Sequence, residues 1–166
     1  MGVKRDGLSP HKVLLLKWFP TAQHKAKLSS LCQFEVCERF FQELKSSGRI
    51  LGTRCQDCNL IYAPPRLYCE RCLADLSDSW QEVPGQGRVH AYTAAYYDLS
   101  GIQLETPDIV AVIQLDGTHG GIIHRIEGID VGSVEIGLEV EVSLKPPSQR
   151  KGSITDIRCF RPVKPN

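Results

Sequence analysis

Four cysteines pose the first chemical question. Cys55-Gln-Asp-Cys58 and Cys69-Glu-Arg-Cys72 are two C-x-x-C pairs separated by ten residues, Asn59 to Tyr68. Each pair can bend into a tight knuckle that presents two sulfurs, and two facing knuckles complete the tetrahedron that zinc prefers. A redox pair would need a thioredoxin-like βαβ surround with one thiolate at a helix N-terminus, and neither pair leads into a helical pattern. Disulfides belong to oxidising compartments. Here no secretory cleavage pattern is found, and the apolar run Val13 to Leu16 is broken by Lys17, far short of the roughly 20 residues that span a bilayer. The chain therefore reads as cytoplasmic, where thiols stay free for metal, and the odd total of seven cysteines agrees. Four protein ligands close the site to water, so the metal is expected to stabilise the fold and not to catalyse. Iron fits the same ligands, and a rubredoxin-like electron carrier would be coloured.

The elements around the cysteines must form a small scaffold. With 166 residues, 42% hydrophobic and 23% charged, the chain is globular, one domain or two small ones. Pro64-Pro65 marks a turn between the knuckles, so residues 48–84 read as a zinc ribbon. Residues 1–47 read as a basic arm with helices. Ser9-Pro10 starts a first helix that Pro20 ends. A second helix is expected from a Ser30 cap to Ser47, with Phe34, Cys37, Phe41 and Leu44 on its apolar face and Gly48 as its stop. Cys32 and Cys37 lie about 140° apart on that helix, a poor metal pair, and read as small buried residues. The arm carries Lys4, Arg5, Lys12, Lys17, Lys25 and Lys27 against Asp6.

Residues 85–166 switch to short strands punctuated by glycine: Gly87–Tyr97, Asp108–Leu115, Gly121–Ile126, Leu138–Leu144 and Ser153–Phe160. Period-two alternation runs through them, with Val89, Ala91 and Thr93 on one face of the first and Leu138, Val140, Val142 and Leu144 on one face of the fourth. Residues 128–137 read as a turn-like plug, and Asp116 to Gly121 as a hairpin turn. Closing five such strands into an OB-type barrel removes the edges they would otherwise expose. The fold class is thus mainly β with N-terminal helices, a zinc ribbon followed by a five-stranded OB-fold barrel.

Phe40 to Cys55, the four cysteines with Ala63-Pro-Pro-Arg66 between them, and Gly85-Gln-Gly-Arg-Val-His-Ala-Tyr-Thr93 together resemble the DUF35 family, as do Ile109 to Asp116, Ile136 to Val142 and Phe160-Arg-Pro162. The resemblance covers about Cys32 to Val163 and departs from it at Asn59 and Leu73, where the knuckles usually carry glycine. It implies a rubredoxin-like ribbon plus OB-fold that accompanies acyl-CoA enzymes as a non-catalytic subunit. Such partners include thiolase-type enzymes, among them an archaeal acetoacetyl-CoA thiolase and hydroxymethylglutaryl-CoA synthase assembly, and thiolase-like aldolases or MaoC-type hydratases acting on steroid side chains or aromatic acids. Condensation or thiolytic cleavage would then be the partner's reaction.

The residues agree with a non-catalytic role. There is no nucleophile beside a base motif, no phosphate-cradling glycine loop before a helix and no open metal site. His90, His119 and His124 fall in or beside strands without an orienting partner in sequence. Coenzyme A or an acyl-CoA, held jointly with the partner, would suit arginine forks, and Arg49, Arg54 and Arg66 near the ribbon are the candidates by chemistry. The other reading is a single-stranded nucleic-acid module that stacks bases on Tyr92, Tyr96 and Tyr97. Against it stand the acidic fourth strand, a ribbon with balanced charge and a whole chain of formal charge +1.

Overall fold

The computed structural model describes residues 34–98 and 100–163. The first expected helix, the basic arm and the Ser30 cap lie outside the described residues. The helix α1 spans Phe34–Ser46. Val36, Phe40 and Leu44, one above another at four-residue spacing, are its buried stripe. The expected face is thereby rotated: Phe41 and Cys37 are half-buried beside it. The helix stops as expected. Gly48 takes φ 74°, and the N–H groups of Ser47 and Gly48 both reach the Glu43 carbonyl.

Three short strands follow: β1 (Ile50–Cys55), β2 (Leu60–Tyr62) and β3 (Trp80–Val83). β1 is central, with β2 and β3 antiparallel on either side, so the ribbon hairpin is β1–β2 and the chain returns to it at β3. Buried Thr53 clamps the segment beyond Pro64-Pro65, because its hydroxyl donates to the Arg66 carbonyl and accepts from the Arg66 N–H, both at 2.9 Å. The Ala63–Pro64 peptide is cis.

The remaining strands are β4 (Gln86–Tyr97), β5 (Gln103–Leu115), β6 (Ile122–Ile126), β7 (Glu139–Leu144) and β8 (Ile157–Pro162). They close in the order β4-β5-β6-β8-β7, and the one parallel pairing, β6 to β8, shuts the ring at Ile126 and Phe160. Val89, Ile109, Ala111, Ile113, Ile122, Val140, Ile157 and Phe160 fill it. The plug is a single 3-10 turn, Val131–Ser133, with Val134 buried behind it.

Two strand readings are corrected. β4 does not keep one phase: the register slips between Val89 and Ala91, and Tyr92 and Ala94 then pair with Ala111 and Ile109, the inward residues of β5. A bulge at His90 thus exchanges the faces of Ala91 to Ala95, and a second shift in the pairing with β5 lies between Ala95 and Tyr97. The last strand starts later than Ser153, because Ile154–Asp156 is a 3-10 turn closed by a Ser153/Asp156 capping box.

Ribbon and barrel share one core. Phe40, Leu44, Ile50, Leu51 and Ala63 belong to the same buried cluster as the barrel residues. A β-bridge adds direction to that packing: the His119 N–H donates to the Ile61 carbonyl at 2.6 Å, and the Ala63 N–H donates to the His119 carbonyl at 3.0 Å. Gly120 makes this approach feasible, since it sits at φ 99° and a Cβ there would lie 2.9 Å from the Ala63 carbonyl oxygen.

Candidate metal centre

The hairpin β1–β2 carries Cys55 at its end and Cys58 in its turn, while the loop before β3 carries Cys69 and Cys72. Both knuckles close on a left-handed residue, Asn59 at φ 54° and Leu73 at φ 62°. Asparagine reaches that conformation readily; leucine does so at a cost of about 1 kcal/mol, which the knuckle's own bonds offset. Those bonds are Leu73 N–H to the Cys69 carbonyl and Cys69 N–H to the Ala74 carbonyl, both 2.9 Å.

The result is a four-sulfur cluster in which all ligand atoms lie within 4.8 Å of one another. Cys55 Sγ and Cys72 Sγ are 3.5 Å apart. A tetrahedron with metal–sulfur bonds of ~2.3 Å has edges of about 3.8 Å, so the four sulfurs are grouped closely enough to serve as the ligands of a tetrahedral dication. Cys55 and Cys69 are buried, Cys58 is half-buried and Cys72 is exposed.

Their acidities express the crowding. Cys58 is pushed up to about 12, chiefly by the neighbouring Cys72 sulfur and then by burial. For Cys55, the Cys58 N–H bond to its sulfur at 3.4 Å favours the thiolate, but burial and the Cys72 and Cys69 sulfurs outweigh it and the net direction is up. Cys69 alone moves down, to about 6, because the Tyr62 hydroxyl donates to it at 3.3 Å. Sulfurs this close would repel one another as thiolates, and a dication is the partner whose charge would hold such a set together.

Tyr62 was not singled out by the sequence. It is buried, its hydroxyl also accepts the Glu70 N–H at 3.3 Å, and the neighbouring Cys69 sulfur, with burial, raises its own pKa to about 12. The usable signal was a tyrosine at the end of the hairpin, seven residues before a ligand. A donor to a ligand sulfur orients it and tunes its basicity. Tyr62→Phe is expected to keep the fold and to lower metal affinity by roughly ten-fold, read by competition against a chelator.

The three arginines do not converge. Arg49 bonds Glu43 at 2.9 Å and approaches Glu82 at 3.7 Å, tying α1 to β3. Arg54 donates to the Asn59 amide oxygen at 2.7 Å, across the first knuckle. Arg66 pairs with Glu70 and lies over the Tyr62 ring at 5.7 Å. A cleft of about 340 Å³ between α1 and the ribbon is lined instead by Val36, Arg39, Ser77, Asp78 and Trp80. Arg39 stacks its guanidinium 4.7 Å above the Trp80 ring there, a pairing invisible in sequence because 41 residues separate the two.

The histidines stay apart as well. His90 is exposed at the β4 bulge, and His119 serves the bridge through its backbone. His124 faces into the barrel against Phe160, where burial lowers its basicity and its buried Nδ1 has no hydrogen-bond partner among the described residues.

Comparison with known proteins agrees with this architecture. Residues 43–77 match the rubredoxin-like zinc ribbon domain of ChsH2, and residues 80–145 match the C-terminal OB-fold domain of ChsH2. A crystal structure of a protein of unknown function from the DUF35 family of Sulfolobus solfataricus superposes with a TM-score of 0.61 at 29% identity, covering 77% of this chain and 88% of that one. The chain belongs to the DUF35 family. Curated DUF35 relatives are a DUF35 domain-containing scaffold protein of Methanocaldococcus jannaschii, 24% identical over 81% of this chain and 96% of its own, and one of Methanothermobacter thermautotrophicus, 25% identical over 63% and 77%. A further DUF35 structure, the Ltp2-ChsH2(DUF35) aldolase, has a TM-score of 0.52 at 26% identity and covers 75% of this chain and 91% of that one. The matched boundary between the two domains falls at 77–80, so β3 sits in the OB segment by sequence and in the ribbon sheet by hydrogen bonding.

Proposed function

We propose that this DUF35 protein is a non-catalytic, zinc-stapled scaffold subunit of an acyl-CoA-processing complex, with a thiolase-type enzyme or a related aldolase or hydratase as its partner. The observation that carries the reading is the closed sulfur set: four ligands from one chain leave no position for substrate or water, so zinc bound at Cys55, Cys58, Cys69 and Cys72 holds shape. What it shapes is a ribbon joined to a barrel by the His119 bridge and a common core. Two relatives are named scaffold proteins, and one structural neighbour is an aldolase assembly, which supports a partner that carries the chemistry. The domain division at 48–84 and 85–166 belongs to the same proposal, the ribbon offering one docking surface and the barrel another.

In this reading coenzyme A is held between the two proteins. Arg49, Arg54 and Arg66 each have a protein partner in the free subunit, so a phosphate would have to displace Glu43, the Asn59 amide or Glu70. The test is capture of the tagged protein from its native cells at moderate salt. An acyl-CoA enzyme recovered in near-equal amount is the expected result. Recovery of nucleic acid in place of an enzyme would overturn the reading.

A further inference from the structure

The β4–β5 hairpin has two unlike edges. β7 pairs with β4 at Gln86, Gly87 and Arg88, and Leu138 and Gly137 bond Val89; beyond that point β4 runs on to Tyr97 with β5 on one side. Among the described residues, no strand pairs with its other side from Ala91 to Tyr96. Such an edge presents N–H and C=O groups that template another strand, and proteins ordinarily blunt it with charge or proline. β5 follows that practice. Its pairing with β6 begins only at Ile109, and the residues before it include Glu105, Pro107 and Asp108. The open stretch of β4, Ala91-Tyr-Thr-Ala-Ala-Tyr96, has neither charge nor proline and is rich in strand-forming types.

Large apolar groups surround it. Tyr92 is 41% exposed and Tyr96 52%. Ile136, 70% exposed, precedes Gly137, whose N–H bonds the Val89 carbonyl, so it stands at the near end of the open edge.

We propose that this edge is a self-association surface, where β4 of two copies pair antiparallel about Ala94. The stretch is complementary to itself in that register. Between the bulge at His90 and the end of the open stretch, Ala94 faces its own copy, Thr93 faces Ala95 and Tyr92 faces Tyr96. Aromatic residues meet aromatic, and no like charges oppose. Registers shifted to either side lose the Tyr92–Tyr96 pair. The contact is isologous and closes as a two-fold dimer whose sheet continues from one barrel into the next. Its short length places it among weak associations, formed as the protein is concentrated into the micromolar range.

The test is sedimentation of the full-length, zinc-loaded protein over a concentration series. Wild type is expected to approach twice the chain mass. Thr93→Lys with Ala95→Lys sets lysines opposite lysines across the two-fold and should leave a monomer. Thr93→Glu with Ala95→Lys sets glutamate opposite lysine in the proposed register and should restore the dimer. Zinc content and circular dichroism report that both variants are folded. A wild type that stays monomeric, a double-lysine variant that dimerises like wild type, or a folded charge-swap variant that stays monomeric would each overturn the proposal.

Discussion

Replacing Cys55 or Cys72 with serine is expected to remove zinc and unfold the ribbon, leaving a barrel that no longer docks to its partner. The size of the effect follows from how little else holds the knuckles. Their buried cluster consists of Cys55, Tyr62, Cys69 and Leu76, and two of those four are ligands. Burying a tyrosine and a leucine contributes a few kcal/mol, about 1.5–3 for each fully buried large side chain. A structural zinc contributes about 10–16 kcal/mol of apparent binding free energy in small zinc domains, so the metal dominates. Losing one ligand also leaves three crowded sulfurs around a missing vertex. The measurement is zinc per chain together with limited proteolysis, where new cleavage should fall within 55–76 while the barrel persists. Cys159→Ser is the control: its side chain is buried in β8 of the barrel, and zinc content should be unchanged. Wild-type zinc and protease resistance in both ligand mutants would sink the structural role.

The legible and illegible parts of this chain differ in the range of their causes. The ligand set could be read because knuckle chemistry is local: two residues between cysteines fix the loop, whatever lies around it. The barrel strands could be read because burial of one face imposes period two, clearest where Val140 is buried between exposed Glu139 and Glu141. The phase of β4 could not, since a bulge is one extra residue that leaves composition unchanged and exchanges faces beyond it. On α1 the apolar arc from Val36 through Phe41 to Leu44 is wide. Which part turns inward is decided by the packing of that arc on β1, which follows at once, and on the 3-10 turn at Ile154–Asp156, which contacts the helix from far along the chain. The arginine pairings also depend on long-range placement, as with Arg49 reaching Glu82 across the turn to β3. The Ser153/Asp156 box had a local signature, a serine followed three residues later by an acid, and was lost to the strand pattern that overlaps it.

That box carries the second large expectation. Asp156→Ala should destabilise the protein by about 2–4 kcal/mol, because the carboxylate is the acceptor on which the β7–β8 connection is folded. Its Oδ1 accepts the Lys151 N–H at 2.8 Å, and Oδ2 accepts those of Gly152 at 2.7 Å and Ser153 at 3.3 Å. The side chain is fully buried, so removing it strands three backbone donors. Asparagine in its place could satisfy some of them through its carbonyl oxygen and would present an amide where two acceptor oxygens are required. The loop it organises also meets α1, with Arg150 against Gly48 and Gly152 beside Phe41, so the loss would spread to the helix that caps the core. A pH signature separates the carboxylate from mere volume. Burial alone would raise its pKa, but the Lys151, Gly152 and Ser153 N–H groups, with the Lys145 charge, outweigh burial and hold it below the ordinary 3.8. A depressed carboxylate contributes stability that is present above the unfolded value and lost as pH falls toward the folded one. Denaturant titrations of wild type and Asp156→Asn should therefore differ most near neutrality and converge as pH drops below about 3.8. A difference that stayed constant through that range would assign the effect to packing and remove the charge from the explanation.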